Sequence, residues 1–301
     1  MSVTQTNDDR HGLAKPQIVE GLRKLGLRRG QVVFMHTAMR TMGHVQNGAG
    51  TVVDALLEVL GPSGTLVVPT FTFAHEAEDD PIVDPRIDES EMGVITQTIC
   101  KHPDARRSIA YRHSFAAIGR RAEVITNVDP ALSPFDLRAS FGVMLALNTQ
   151  VVLLGMTYAN STSHHFAEWV CDVPYRQSIA IKVRVRGPDG RVFEQPMIDY
   201  QPKSEGDSYY GSRHPDFNRL GRMLEERDLV GRTFIGNAAM RRFAMRDLID
   251  LAQIEAEKDY NIFRTTEGDS DTTSLDFGRV VLSPSMKDGA DRPVQYEWCV
   301  K

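Results

Sequence analysis

The chain has 301 residues, of which 41% are hydrophobic, 25% charged and 8% aromatic, ordinary values for a globular protein with its own core. Lys plus Arg number 35 against 40 Asp plus Glu, a formal charge of −5. That argues against a protein that lives on nucleic-acid phosphate contacts and leaves cationic small molecules as possible partners. Three cysteines (Cys100, Cys171 and Cys299) are too few for a disulfide framework. No apolar stretch approaches the roughly 18 residues of a membrane span, and the polar start MSVTQTNDDRHG is unlike a signal peptide. A soluble, reduced, cytoplasmic chain is expected, with neither nucleic acid nor membrane as partner.

Residues 1–15 read as a disordered lead. Pro16 opens an apolar-periodic stretch (Ile18, Val19, Leu22, Leu25) that Gly26 closes, which is helix punctuation. Gln31–His36 reads as a buried strand, Gly48–Leu60 as a helix, GPSG at 61–64 as a turn and Thr65–Phe71 as a second buried strand. Helix, strand, helix, strand favours a layered α/β fold with a parallel pair. Residues 74–91 hold eight acids, one Arg and two Pro, and read as a loop. Helices are expected over Gly93–Lys101 and Arg120–Asn127, with the apolar run Phe115–Ile118 between them. Val151–Gly155 is the strongest central-strand candidate, and Thr162–Val170 a helix after it. Ile179–Arg186 and Arg191–Gln195 flank Gly187-Pro188-Asp189-Gly190 as a β-hairpin. Pro215–Arg227 and Ala239–Glu257 read as helices around a strand at Arg232–Ile235. The tail is polar, with weak strand character at Arg279–Leu282. The organisation expected is a lead (1–15), one domain (16–263) and a C-terminal extension (264–301).

The richest cluster of chemistry-bearing residues is Asn160–Trp169, directly after VVLLG. In layered α/β folds the carboxyl ends of strands face the ligand crevice. His165 and Glu168, three apart, share one helix face. Thr162 and Ser163 can cap that helix and present hydroxyls at its positive end. An imidazole held by a carboxylate, beside hydroxyl and N–H donors, suits acyl transfer: one group takes a proton, one fixes its tautomer, the others receive an oxyanion. On local chemistry alone, a cap plus a surface ion pair is the favoured reading of the same residues, because i,i+3 polar pairs are common on helices. Cys171 as a nucleophile is weaker, because Phe166–Val173 is apolar on one side and free cysteines are mostly buried. A metal is not expected: the spacing is not H-E-x-x-H, and the adjacent His164 and His165 point apart on a helix. Gly48-Ala49-Gly50 lacks the full dinucleotide fingerprint, and Trp169 and Trp298 read as packing residues.

Thr162, His165, Ala167 and Glu168, in Thr-x-x-His-x-Ala-Glu, resemble the motif of aminoglycoside 3-N-acetyltransferases. Leu22–Val45 is similar to that family's opening strand and acyl-CoA loop. Asp54–Leu57, Gly61–Leu66, Pro69–Thr72, Arg107-Ser108, Ser114–Gly119 and Val152–Gly155 follow in the family's order, and the likeness covers about residues 16–256. The resemblance implies a three-layer α/β/α fold with a mixed sheet, distinct from the GCN5-type acetyltransferase fold and carrying a β-hairpin and a C-terminal helical region. It implies transfer of acetyl from acetyl-CoA, without a metal, to a primary amine of an aminoglycoside or related metabolite. His165 would be the general base, Glu168 its orienting partner, and Thr162 would lie near the thioester oxygen. The implied CoA site draws on His36, Thr37, Arg40, Gly43, Val45, Arg107, Ser114 and Phe115. In the acidic loop, Glu76, Asp79 and Asp80 are candidates for attracting a polycationic acceptor, against the reading of a merely solvated loop. Ala110-Tyr111 stands where the family usually has His-Pro, and Gln97 where an acid often stands. These departures mark a divergent member. The rival to an enzyme is an inactive homologue that sequesters an amine. Monomer and homodimer both stay open.

Overall fold

Residues 12–208 and 211–265 are described in the computed structural model. The main sheet has seven strands. In chain order they are β1 (Val32–Thr37), β2 (Thr65–Pro69), β4 (Arg106–Arg107), β5 (Phe115–Gly119), β6 (Gln150–Leu154), β9 (Gly231–Ile235) and β10 (Ala238–Ala244). Their spatial order is β4-β5-β2-β1-β6-β10-β9. β1 is parallel to both neighbours, whereas β5 on β2, and β10 on β6 and β9, are antiparallel. The sheet is therefore mixed, around the parallel centre that the alternation of elements predicts.

Period-2 alternation sorts side chains onto two faces. Val33 and Met35, Leu66 and Val68, and Val152 and Leu154 meet helices α1 (Lys15–Lys24), α2 (Ala49–Leu60) and α3 (Val94–Cys100) on one face. Phe34, Val67, Phe115, Val151, Leu153 and Phe243 meet the other layer. That layer holds α4 (Ala122–Thr126), α5 (Ser140–Ala146), α6 (Thr162–Val170), α7 (Asn218–Glu226) and α8 (Met245–Ala256). The result is the three-layer α/β/α arrangement.

A second sheet stands apart: β3 (Ile82–Val83) pairs parallel with β7 (Arg176–Arg186), which pairs antiparallel with β8 (Val192–Pro202). The hairpin is longer than its alternating core suggests, and β3 lies inside the acidic stretch expected to be only loop. The segment Ala239–Glu257, expected as one helix, is instead β10 followed by α8. Arg241 and Arg242 are buried and so mimic a polar helix face in sequence. Arg241 Nε donates to Glu225 at 2.8 Å and Arg242 donates to the Gly26 carbonyl at 2.9 Å. Arg264 and Thr265, assigned by sequence to the extension, are packed against the domain: the Thr265 N–H donates to the His214 carbonyl at 3.0 Å. The strand expected at Arg279–Leu282, Trp298, Cys299 and most of the 1–15 lead lie outside the described residues.

The chain runs from β1 outward to β2 on one side and returns to β6 on the other, so the ends of β1 and β6 form a topological switch point. Gly155 leaves β6 there with φ +63°, and a Cβ on it would lie 1.8 Å from Thr41 Oγ1. Only glycine lets the two loops approach this closely.

Candidate active site

Helix α6 starts just beyond this crevice. His36, at the end of β1, accepts the Thr162 N–H through Nε2 at 3.3 Å, filling one of the helix's orphan donors. Ser161 and Ser163 share a hydrogen bond of 2.7 Å at the same turn. Phe166 and Ala167 anchor the helix in the core, which turns the opposite face, with Thr162, His165 and Glu168, to one side.

His165 Nδ1 lies 2.5 Å from Glu168 Oε2. The carboxylate is 1% exposed, yet it is well partnered. Tyr175 donates its hydroxyl to Oε1 at 2.8 Å, and Arg176 forms an ion pair with Oε2 at 2.8 Å. Burial alone would raise the Glu168 carboxyl; Arg176, His165 and Tyr175 outweigh it and hold the group below its ordinary value. A charged Glu168 on Nδ1 fixes the imidazole as the Nδ1–H tautomer, leaving Nε2 to accept a proton. Burial, with Arg176 adding repulsion, lowers the His165 pKa despite Glu168. The ring is therefore neutral near pH 7, and its side chain is 21% exposed. The Phe217 ring meets it edge-on at 4.7 Å. A neutral, oriented, partly open imidazole is equipped to take a proton.

The remaining candidates separate into three places. Thr37, Arg40 and Gly43 continue directly from β1: Arg40 is exposed in a 3-10 turn, and Gly43 has φ +82°. Val45 is buried and bridges to Leu13. Arg107, Ser114 and Phe115 lie on the β2–β5 side. Arg107 Nε donates to Thr70 Oγ1 at 3.0 Å, and its terminal nitrogens donate to the Thr70 and Asp88 carbonyls. Ser114 Oγ donates to the Thr70 carbonyl at 2.8 Å. The Phe115 ring is fully enclosed, between Phe34 and Phe141. These three build the wall around Thr70.

The acidic loop is largely paired. Glu76 meets Arg112 at 3.1 Å and Asp80 meets Arg184 at 2.9 Å. Glu78, Asp79 and Asp80 line an open cleft of about 530 Å³ with Tyr111, Arg112, Lys182, Glu194 and Asp199. Tyr111, Arg112 and Asp199 also border a small hollow with His113, Phe135 and Tyr200. The His113 ring, edge-on to Phe71 at 4.7 Å and Phe135 at 5.0 Å, is kept neutral chiefly by burial, with the cations Arg112 and Arg176 adding repulsion. Gln97 accepts the Ser90 N–H at 2.9 Å, closing the far end of the loop. Cys171 is half-buried, and burial pushes its thiol up to about 12, so it is not a ready nucleophile. Among the described residues no three His, Cys, Asp or Glu side chains gather into a metal site, and no helix is long and apolar enough to cross a membrane.

The family model described as Aminoglycoside 3-N-acetyltransferase matches residues 34–255. The chain belongs to this family. It is accordingly an N-acetyltransferase that uses acetyl-CoA. Aminoglycoside N(3)-acetyltransferase IV from Salmonella sp is 29% identical over 252 residues, covering 83% of this chain and 89% of that protein. Aminoglycoside N(3)-acetyltransferase VII from Streptomyces paromomycinus is 28% identical over 261 residues, covering 79% and 90%. Among solved structures, the apoenzyme of aminoglycoside acetyltransferase AAC(3)-IVa superposes with a TM-score of 0.67 at 26% identity, covering 84% of this chain and 91% of that one. A histidine-to-alanine mutant of that enzyme, in complex with apramycin, gives a TM-score of 0.68. The fold is shared by AAC-IIIb, solved as a binary complex with CoASH, at a TM-score of 0.72 and 21% identity, covering 84% and 98%.

Tyr175, Arg176 and Phe217 are absent from the sequence-based set. A signal existed for Arg176. A glutamate within an apolar helix face must be paired when buried, and Arg176 is the nearest downstream cation. The hairpin's alternation becomes legible only at Ile179, which hides that its first residues serve α6.

Proposed function

We propose that the protein acetylates a primary amine of an aminoglycoside or related amine-bearing metabolite by direct attack on acetyl-CoA, with His165 as general base. The observation that carries this reading is the neutral His165 ring, one nitrogen held by a buried, charged Glu168 and the other left to accept a proton. The amine nitrogen attacks the thioester carbonyl; the new C–N bond forms, the C–S bond breaks, and CoA leaves as its thiol. His165 Nε2 takes the amine proton and returns it to the departing sulfur. Glu168 orients the ring and stabilises the imidazolium. Thr162, at the positive end of α6, stands near the thioester oxygen.

Acetyl-CoA is assigned to the loop that leaves β1, through His36, Thr37, Arg40, Gly43 and Val45. The exposure of Arg40 and its short distance in chain from the switch point support this. Arg107 and Ser114 contribute by fixing the Thr70 wall, and Phe115 by its place behind it. The cleft bordered by Asp79 and Asp80, with Glu76 paired behind it, is assigned to the acceptor's further ammonium groups. The aminoglycoside N(3)-acetyltransferase names of the curated relatives, and the apramycin bound in the AAC(3)-IVa mutant structure, support an aminoglycoside-like acceptor. The test is thiol release from acetyl-CoA against a panel of aminoglycosides and simpler amines. Release dependent on one amine class identifies the acceptor. Tight amine binding with no release anywhere in the panel would replace the enzyme with a sequestering protein.

A further inference from the structure

Beyond the pair itself, Glu168 is reached from a part of the chain remote in sequence. Tyr175, whose hydroxyl fills Glu168 Oε1, is 7% exposed, and its phenol stays protonated because burial and the adjacent carboxylate both raise its pKa. Its ring is covered by the guanidinium of Arg264, with Cζ 4.0 Å from the ring centroid. Tyr260 flanks the same ring at 6.3 Å. Arg264 is held from three directions: Nε donates to Asn261 Oδ1 at 2.7 Å, a terminal nitrogen donates to Asp207 Oδ1, and the Arg219 side chain donates to the Arg264 carbonyl. Asp207 is itself fixed by Ser204 at 2.6 Å and Arg213 at 2.8 Å.

We propose that Arg264, anchored by Asp207, is a positioning residue that acts on the His165–Glu168 pair through Tyr175. The planar guanidinium lies against the phenol and stops the ring from swinging away from Oε1. A buried carboxylate that loses one donor turns toward its remaining partners. Because Oε2 is shared by His165 and Arg176, that rotation moves the imidazole. The arm that follows α8 is thus part of the catalytic scaffold, although it supplies no group to the substrate. The inference rests on the reading of His165 as the base.

The test uses the full chain and begins without an acceptor. The His165 Nδ1 proton, held at 2.5 Å from the carboxylate, gives a deshielded NMR resonance whose exchange with water is measured in wild type, R264A, Y175F and the double variant. Each single variant is expected to exchange about ten times faster, and the double variant no faster than Y175F, since coupled residues do not add. A buried backbone amide such as that of Val152 should keep its rate, which a merely structural role would not allow. With apramycin as acceptor, R264A should lower kcat about tenfold with KM for acetyl-CoA within twofold. If R264A does not fold, D207N, which releases the guanidinium without deleting it, takes its place. Unchanged exchange in a folded variant, or a tenfold effect of R264A that persists in the Y175F background, overturns the proposal. Loss of the base reading is seen separately, as full activity in H165A.

Discussion

His36 Nε2 accepts the Thr162 N–H at 3.3 Å, so an uncharged histidine at the end of β1 closes the first turn of the helix that carries His165. The bond requires a lone pair on Nε2. Burial supplies that condition by lowering the His36 pKa to about 3. His164, wholly buried and stacked on Phe217 at 5.0 Å, is lowered to about 3 as well, again chiefly by burial.

These two rings, together with His113 and His165, which burial lowers as well, make the fold acid-sensitive. Their folded pKa values lie below the unfolded value, so their contribution is complete above about pH 6.5 and is lost as pH falls toward 3. Between pH 6 and 5, above the range where most carboxylates titrate, His36 and His164 should each remove about 1 kcal/mol of stability per pH unit. Urea unfolding at pH 7, 6 and 5 measures the slope. His36→Gln offers an acceptor that does not titrate, and should reduce the slope by about 1 kcal/mol per pH unit. An identical slope in that variant would remove His36 from the account.

How far the sequence reaches is best judged on particular elements. It predicts a helix over Thr162–Val170, and that helix is observed with those bounds, because an apolar strand before it and a Ser-Thr start give unambiguous punctuation. The central strands are legible for a similar reason: residues buried on both faces leave continuous apolar runs. α5 is not legible. It is short and contains Gly142, where a Cβ would sit 1.8 Å from the Leu137 carbonyl oxygen, so its glycine serves a close approach rather than helix propensity. At the site, the i,i+3 relation of His165 and Glu168 is local and visible in sequence. The other partners that hold Glu168 charged, Tyr175 just before β7 and Arg176 at its first residue, are reached across a turn, and contacts of that kind leave no periodic trace.

Arg176 affects both members of the pair. It lowers the Glu168 pKa by attraction and that of His165 by repulsion. Arg176→Met should therefore move the inflection of the pH–rate profile upward. It should also destabilise the fold by about 3 kcal/mol, since Glu168 would be left buried with too few donors. Single-turnover rates from pH 5 to 9, with urea unfolding in parallel, test both. A downward displacement of the inflection would show that Arg176 is felt at His165 mainly through loss of the Glu168 charge.

The acidic loop should not act as a unit. Asp80 is offset by Arg184 at 2.9 Å, whereas Asp79 borders the cleft. Asp79→Asn is expected to raise KM for a polycationic aminoglycoside roughly twofold, about 0.5 kcal/mol, and to weaken its salt dependence. Asp80→Asn should raise KM more, because it leaves the Arg184 guanidinium unpaired in the same cleft to repel the ligand. Steady-state kinetics from 50 to about 300 mM salt separate the two. Equal, small effects of both variants would return the loop to a solvated surface.

His165→Ala should slow the chemical step far more than it weakens binding. An amine acceptor is largely protonated near neutral pH; it must shed one proton to solvent to gain the lone pair that attacks the thioester, and as the C–N bond forms its nitrogen must lose a second to become a neutral amide. Nε2 of the neutral ring can take it, while Glu168 holds the opposite nitrogen at 2.5 Å. General-base assistance of this kind is worth roughly 10²–10⁴-fold, so single-turnover acetyl transfer should fall by that factor with acetyl-CoA affinity retained. Glu168→Gln should lower the rate less, because it removes orientation and charge but leaves the imidazole in place. In wild type the rate should rise with pH through an inflection below 6.5, the direction set by burial of His165. The alanine variant should lose that inflection, leaving only the ionisation of the acceptor amine at higher pH. A fall of less than tenfold in His165→Ala, with the low inflection still present, would assign the proton to another group.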